Sequence, residues 1–294
     1  MSEPIFTDWT DNSTALWGQQ PVCLQHSLHE SPLFSLDGLA DLIERYPRQH
    51  YSLVQVGAPG QRRLWREGEV GRVRGRDVIE AIRQGCLWLN LRRVAEIDAR
   101  YRDLMGDIFA DLSQRIPNFT SFDESIGILI SSPKAQVYYH ADLPGQSLWQ
   151  IAGRKRVLIY PPVKPFLAPE HLEDIALFGV EVNMPYAEWY DEHATAFDFA
   201  PGQMLNWPLN APHRIENLDS LNISMTMEYW SPEIRRQHVV NVANGILRHR
   251  YGLNPRRRST HGVEFWSKRV VQRLLRNSPK LKRERQAQRP VDFK

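Results

Sequence analysis

The chain has 294 residues, of which 42% are hydrophobic and 24% charged, the composition of a folded globular protein rather than a disordered one. Its net charge of +3 conceals a division: from Glu233 onward there are 17 Lys and Arg against 4 Asp and Glu, so an acidic body carries a basic end. The longest apolar runs fall far short of the ~20 residues that cross a membrane, no secretory signal is recognisable at the N-terminus, and Cys23 and Cys86 form neither a CxxC pair nor a disulfide framework. The expectation is a cytoplasmic protein with buried free thiols and no membrane partner.

Helical and strand signals alternate in the first third. Ser35 is an N-cap before an apolar face of Leu39, Leu42, Ile43 and Tyr46, and Pro47 ends that helix. Residues 51–56 (YSLVQV) read as a strand, 60–77 as a polar, glycine-rich loop or hairpin, 78–84 as a short helix and 86–92 as a strand. Ile97, Tyr101, Met105, Phe109, Leu112 and Ile116 then recur every three or four positions, which predicts one continuous helix with one buried stripe.

After Asn118 the period changes to two. Short runs such as SIGILIS, AQVYYHA, SLWQIAG, KRVLIYP, TAFDFA, QMLNWPL, HRIEN and NISMTMEYW are each bounded by turn residues, the pattern of an antiparallel sandwich or barrel. Residues 163–193, acidic and aromatic, interrupt it as an insertion, and Phe178, Tyr186, Trp189 and Tyr190 are candidates for an aromatic lid or for plain packing over the barrel. Asp191, Glu192 and His193 read as lid surface, because consecutive residues cannot all face one ion from a strand. Beyond Pro232 the pattern is helical again, with Val239, Val242, Ile246 and Leu247 in one helix and Phe265, Trp266, Val270, Leu274 and Leu275 in the next expected to be buried. Three regions follow: 1–118, an α/β region adding strands to a barrel; 119–232, the barrel; and 233–294, a basic helical region.

His140 and Asp142 form an H-x-D pair at the end of a strand-like run, so both side chains leave one face, and His213 opens another run. Two His and one carboxylate with open positions are the ligand set of non-haem Fe(II) oxygenases. Alone, the pair reads equally well as a surface His beside a turn Asp.

The surrounding sequence decides between them. HADLPGQSLWQIAGRKRVLIYPP, followed by FAPGQMLNWPLNAPHRIENL, resembles the jumonji-type, cupin-like Fe(II)- and 2-oxoglutarate-dependent oxygenases, among them the asparaginyl hydroxylase of the hypoxia-inducible factor. The similarity covers roughly residues 86–230. It implies a double-stranded β-helix, the jelly roll of the cupins, mainly β with flanking helices, and a dioxygenase of the hydroxylase type. Iron would be held by His140, Asp142 and His213, and Lys155 would bind the far carboxylate of 2-oxoglutarate. Tyr138, Gln146, Trp88 and Glu228 fall at positions around the cosubstrate. Three of the family's usual contacts are altered: Val137 replaces a Thr, with Tyr138, Tyr139 or Ser132 as alternative hydroxyls; Trp88 replaces a Tyr; Glu228 replaces an Asn. Substrates in this family include protein side chains, RNA and small molecules, with a protein favoured here. A metal-binding cupin without oxygenase activity is the competing reading. The C-terminal helices resemble in position those through which protein hydroxylases dimerise, and basic residues including Arg256, Arg257, Arg258 and Lys280 to Arg285 suit an acidic or nucleic-acid partner.

Overall fold

The computed structural model describes residues 4–56, 65–179, 184–279, 281 and 291–293. Thirteen strands are seen among them: β1 (Val22–Gln25), β2 (Tyr51–Val56), β3 (Trp65–Gly68), β4 (Leu87–Leu91), β5 (Phe122–Ser131), β6 (Gln136–His140), β7 (Gly145–Ala152), β8 (Lys155–Ile159), β9 (Thr195–Phe199), β10 (Gln203–Asn206), β11 (His213–Asn217), β12 (Asn222–Trp230) and β13 (Val291–Phe293). Eight helices accompany them: α1 (Asp11–Leu16), α2 (Leu36–Glu44), α3 (Gly75–Gln84), α4 (Val94–Ile97), α5 (Ala99–Arg115), α6 (Pro169–Phe178), α7 (Pro232–Tyr251) and α8 (Gly262–Leu275).

The strands form two sheets, ordered β1-β10-β7-β12-β5-β4-β2-β3-β13 and β6-β11-β8-β9, and together they make a jelly roll. Alternation along each strand divides the side chains between two cores. On β5, Ile126, Ile128 and Ile130 point outward into the cluster that holds Leu39, Leu42, Ile82, Ile108 and Leu112 of α2, α3 and α5. Leu129 points the other way, into the barrel with Leu148, Val157, Ile159, Leu205 and Ile215. All eight runs expected after Asn118 are strands, and β2 and α2 fall where the sequence places them; the Ser35 hydroxyl accepts from the Gly38 amide at 3.1 Å.

Three expectations need correction, and a choice left open is narrowed. The single helix from Ile97 is broken, because Asp98 takes an extended conformation and its carboxylate caps α5 at the Arg100 amide, 2.9 Å away. The thiols are not both buried: Cys23 is half-buried and Cys86 exposed. The aromatic residues of the insertion between β8 and β9 pack over the outside of the barrel, while Gly179 at the end of α6 lines the cavity at its mouth. Tyr190, Phe166, Ile175 and Met184 pack on Tyr139, Leu158 and Tyr160, the outer face of the smaller sheet, and Phe178 meets His249 of α7 edge to face. Residues 180–183 of this insertion lie outside the described residues. Finally, Val239, Val242, Ile246 and Phe265 are buried, but Trp266, Val270 and Leu274 are 58%, 56% and 72% exposed.

α7 is tied to α6 by an ion cluster rather than by apolar contact alone. The fully buried Glu173 receives Arg248 Nε at 2.9 Å and Arg258 Nη1 at 2.6 Å. Arg258 therefore belongs to the scaffold and not to a free basic surface; Lys280 and 282–285 lie outside the described residues. Among the described residues no helix is long and apolar enough to cross a membrane.

Candidate active site

The H-x-D motif does not sit on a regular strand. Between β6 and β11 the register passes from His213 opposite His140 to Ile215 opposite Val137, so β6 spends three residues where β11 spends two. This bulge turns both Val137 and His140 into the barrel and sends Tyr139 outward, where its hydroxyl donates to the Phe166 carbonyl at 2.8 Å. Asp142 follows in the loop before β7.

His140, Asp142 and His213 meet at the mouth. His213 Nε2 lies 3.3 Å and His140 Nε2 3.7 Å from Asp142 Oδ2, and the imidazole centroids are 4.1 Å apart. Two ligands each about 2.1 Å from one ion and at right angles would be about 3 Å apart, so this spacing fits a shared metal. The tautomers fit as well. Nδ1 of His140 faces the Tyr138 carbonyl at 2.7 Å and Nδ1 of His213 faces the Ala211 carbonyl at 3.1 Å, each as N–H donor, which leaves both Nε2 lone pairs toward Asp142. Desolvation, reinforced by His213, pushes His140 down to about 4, so it is neutral as a ligand must be. Burial works to raise the Asp142 carboxyl, but His140, His213 and the Gln146 amide outweigh it and hold it well below its ordinary range. Gln146 Nε2 donates to Asp142 Oδ2, and Asn210 Nδ2 to the Asp142 carbonyl at 2.5 Å. The first holds the carboxylate oxygen that faces the imidazoles, and the second holds the backbone of the same residue.

A cavity of about 810 Å³ opens on the three ligands. Trp88, Gln146 and Glu228 line it, together with Asn90, Thr226, Arg92 and Arg93, and its floor is apolar: Leu129, Val137, Leu148, Trp207 and Ile215. Glu228 is reached by solvent through the mouth yet ringed by protein. Desolvation first, and the Asp142 charge second, push its carboxyl up to about 7. Tyr138 does not line this cavity and contributes its carbonyl instead, while Ser132 is spent on the backbone, donating to the Ile82 carbonyl at 2.5 Å and accepting from the Leu87 amide at 2.7 Å. Asn90 and Asn210 were not singled out from the sequence. The amide oxygen of Asn90 is buried with no hydrogen-bond partner among the described residues.

Lys155 lies deeper on the same inner face. Its position follows from Gly153 at the β7–β8 turn, which adopts φ +76 where a Cβ would stand 2.3 Å from the Leu221 carbonyl oxygen. Across β11, Ile159 pairs with His213, Val157 with Ile215 and Lys155 with Asn217, so one apolar layer separates the ammonium from the metal ligands. Lys155 is 3% exposed, and desolvation lowers it to about 7. Its Nζ donates to Ser224 Oγ at 2.8 Å, which donates to Gln150 Oε1 at 2.7 Å. No carboxylate among the described residues pairs with it. Asp191, by contrast, is saturated by Arg214, the Tyr160 hydroxyl at 2.6 Å and the Tyr186 hydroxyl at 2.9 Å, and forms no metal cluster with Glu192 and His193.

No family model matches the chain, and no curated protein matches its sequence. Solved structures do resemble it. The chain superposes over its full length on 75% of the Escherichia coli protein YcfD, with a TM-score of 0.55 at 16% identity. In a second structure, titled as that organism's ribosomal oxygenase YcfD, 96% of this chain covers 70% of the other at TM-score 0.52 and 16% identity. A third, of YcfD with cobalt and succinic acid, gives 91% and 66% at TM-score 0.50 and 16% identity. The likeness is one of fold, the jelly roll shared with these structures. These neighbours do not bear on the asparaginyl hydroxylase comparison.

Proposed function

We propose that the protein is an Fe(II)- and 2-oxoglutarate-dependent oxygenase that hydroxylates a side chain of a protein substrate. One observation carries this reading. A buried ammonium without a carboxylate partner and an open two-His, one-Asp cluster share the inner face of one small sheet. Iron(II) and 2-oxoglutarate, when bound, supply the oxidation: the cosubstrate, dioxygen and a C–H group become succinate, carbon dioxide and an alcohol.

The chain's own residues hold and orient. His140, Asp142 and His213 offer three ligand atoms from one side and leave the cavity side to ligands. Gln146 and Asn210 keep Asp142 in place, and Lys155 neutralises the far carboxylate of the cosubstrate. Leu129, Val137, Leu148 and Ile215 keep water from the space between them. The mouth carries charges of both signs, Glu67 and Asp123 with Arg92 and Arg93, which suits a polar macromolecular surface better than a small apolar substrate. The name of the structural neighbours, ribosomal oxygenase, supports a protein substrate. Iron(II) and free thiols both suit a reducing cytoplasm.

The test is turnover on proteins from a cell lysate with Fe(II), 2-oxoglutarate and oxygen. Succinate should form, and mass spectrometry should find a residue heavier by one oxygen atom, neither occurring with Asp142→Ala. Tight iron binding without any 2-oxoglutarate consumption would select the metal-binding cupin instead.

A further inference from the structure

We propose that the groove between α7 and α8 is a binding site for single-stranded nucleic acid. A second cavity, about 680 Å³, lies there; it shares no lining residue with the cavity at the metal cluster, although β5 contributes to both, Phe122 here and Asp123 there. Arg235 and Arg236 reach it from α7, and Arg269 and Arg273 from α8. All four are exposed, none has a carboxylate partner among the described residues, and no Asp or Glu lines the groove. Of the two acidic residues on these helices, Glu264 receives Lys268 Nζ at 2.7 Å, while Glu233, which accepts from the Ser231 hydroxyl at 3.0 Å, keeps its charge and is outnumbered by the four guanidinium groups. The N-terminus of α8 opens on the same groove at His261 and Gly262 and carries no side-chain cap, which adds the positive end of a 14-residue helix.

The groove's apolar part points to the ligand's class. Trp266 is 58% exposed beside it, with Arg269 stacked 5.0 Å from one ring centroid, and Phe122 is exposed at its edge. Guanidinium forks that grip phosphates bidentately, next to exposed aromatic rings on which bases stack, form the combination that holds a single strand without reading its sequence. An acidic peptide would use the arginines and leave the rings in water. A second copy of this chain across a two-fold axis would set four guanidinium groups without carboxylate partners against the same four.

The experiment measures binding of the full chain to a fluorescent single-stranded oligonucleotide, as RNA and as DNA, across a salt series. A glutamate-rich peptide and a duplex are run alongside. The free chain should bind both single strands better than the duplex or the peptide; tighter binding of RNA than DNA would assign the natural ligand to RNA, and the reverse to DNA. The slope of log affinity against log salt should fall by about 0.7 for each arginine replaced by Gln. Trp266→Ala should weaken binding about tenfold, corresponding to one lost stacking contact, with the circular dichroism spectrum and iron binding unchanged. Arg235→Gln with Arg273→Gln provides a second variant that leaves the buried face of α8 untouched. Three results would each overturn the proposal: affinity unchanged with all four arginines replaced; loss with the arginines but none with Trp266→Ala, which describes a general polyanion surface; or a dimer in solution that dissociates on Trp266→Ala while oligonucleotide binding stays weak throughout.

Discussion

The four-stranded sheet has two faces built from the same kinds of residue, and they are used in opposite ways. Outward from β8 and β11 come Tyr160, Arg214 and Glu216, which with Asp191 and Tyr186 satisfy one another: Arg214 pairs with both carboxylates, and both hydroxyls donate to Asp191. Inward come Lys155, His213 and, from β6, His140. Here the charges are left incomplete, with Lys155 facing only a hydroxyl and both Nε2 lone pairs converging on a single carboxylate oxygen. Burial of an unsatisfied charge costs stability and has no structural reason. A face that keeps such groups is therefore shaped for ligands, while the saturated face holds the insertion in place.

That contrast is broken most severely at His140, Asp142 and His213, the proposed metal ligands. Asp142→Ala or His213→Ala should abolish turnover and weaken iron binding by at least about a hundredfold, as read by metal titration, with the fold retained in circular dichroism. Full iron occupancy in either variant would remove the inner face from the chemistry.

Lys155→Met comes next. Removing one partner of a buried ion pair costs ~3–5 kcal/mol, so 2-oxoglutarate affinity should fall by at least about a hundredfold while iron affinity stays the same. The cosubstrate-free protein should respond in the opposite direction. The Lys155 ammonium, pushed down to about 7 in the fold, loses its proton well before an unfolded lysine does. The unfolded state then binds more protons between about pH 7 and about pH 10, and stability rises with pH across that window. Denaturant unfolding at pH 7 and pH 9 should show the wild type gaining stability relative to Lys155→Met. A constant difference would mean that this lysine is not buried as a charge.

On the outer face the effect should be confined to stability. Asp191→Asn leaves half-buried Arg214 with one carboxylate fewer and should cost about 1–3 kcal/mol, seen as a lower denaturant midpoint, with iron and 2-oxoglutarate affinities unchanged. The smallest effect belongs to Trp189→Ala. Trp189 packs on Tyr190, Phe166 and His193 away from the mouth, so kcat/KM should stay within about twofold. A larger loss would restore a lid to the insertion.

Much of this was legible in the sequence because alternation is a strong signal. The period of two marks all eight strands from β5 to β12, and family spacing singles out His140, Asp142 and His213, which the fold brings together, and Lys155 on the same face. Less was legible where the chain departs from regular periodicity. A bulge in β6 leaves no mark in composition, so Val137 and His140 sharing one face could not be read from the letters. The apolar stripe through Ile97 continues across Asp98, whose capping role depends on a backbone conformation rather than on pattern. Asn90 and Asn210 act through loop and strand positions that only the fold brings together. Trp266, Val270 and Leu274 read as core by period and lie in solvent, because periodicity marks an apolar face without saying what covers it.

The most direct test of the inner face is an anaerobic titration of the iron(II)-loaded protein with 2-oxoglutarate, followed by visible absorption. A weak charge-transfer band should grow with the cosubstrate, require iron, and be lost with His213→Ala. With Lys155→Met it should reappear only at roughly a hundredfold higher cosubstrate concentration. A band that saturates at the same concentration in Lys155→Met, or iron bound at full occupancy with no band at all, would contradict the assignment of this face to a metal and a carboxylate cosubstrate.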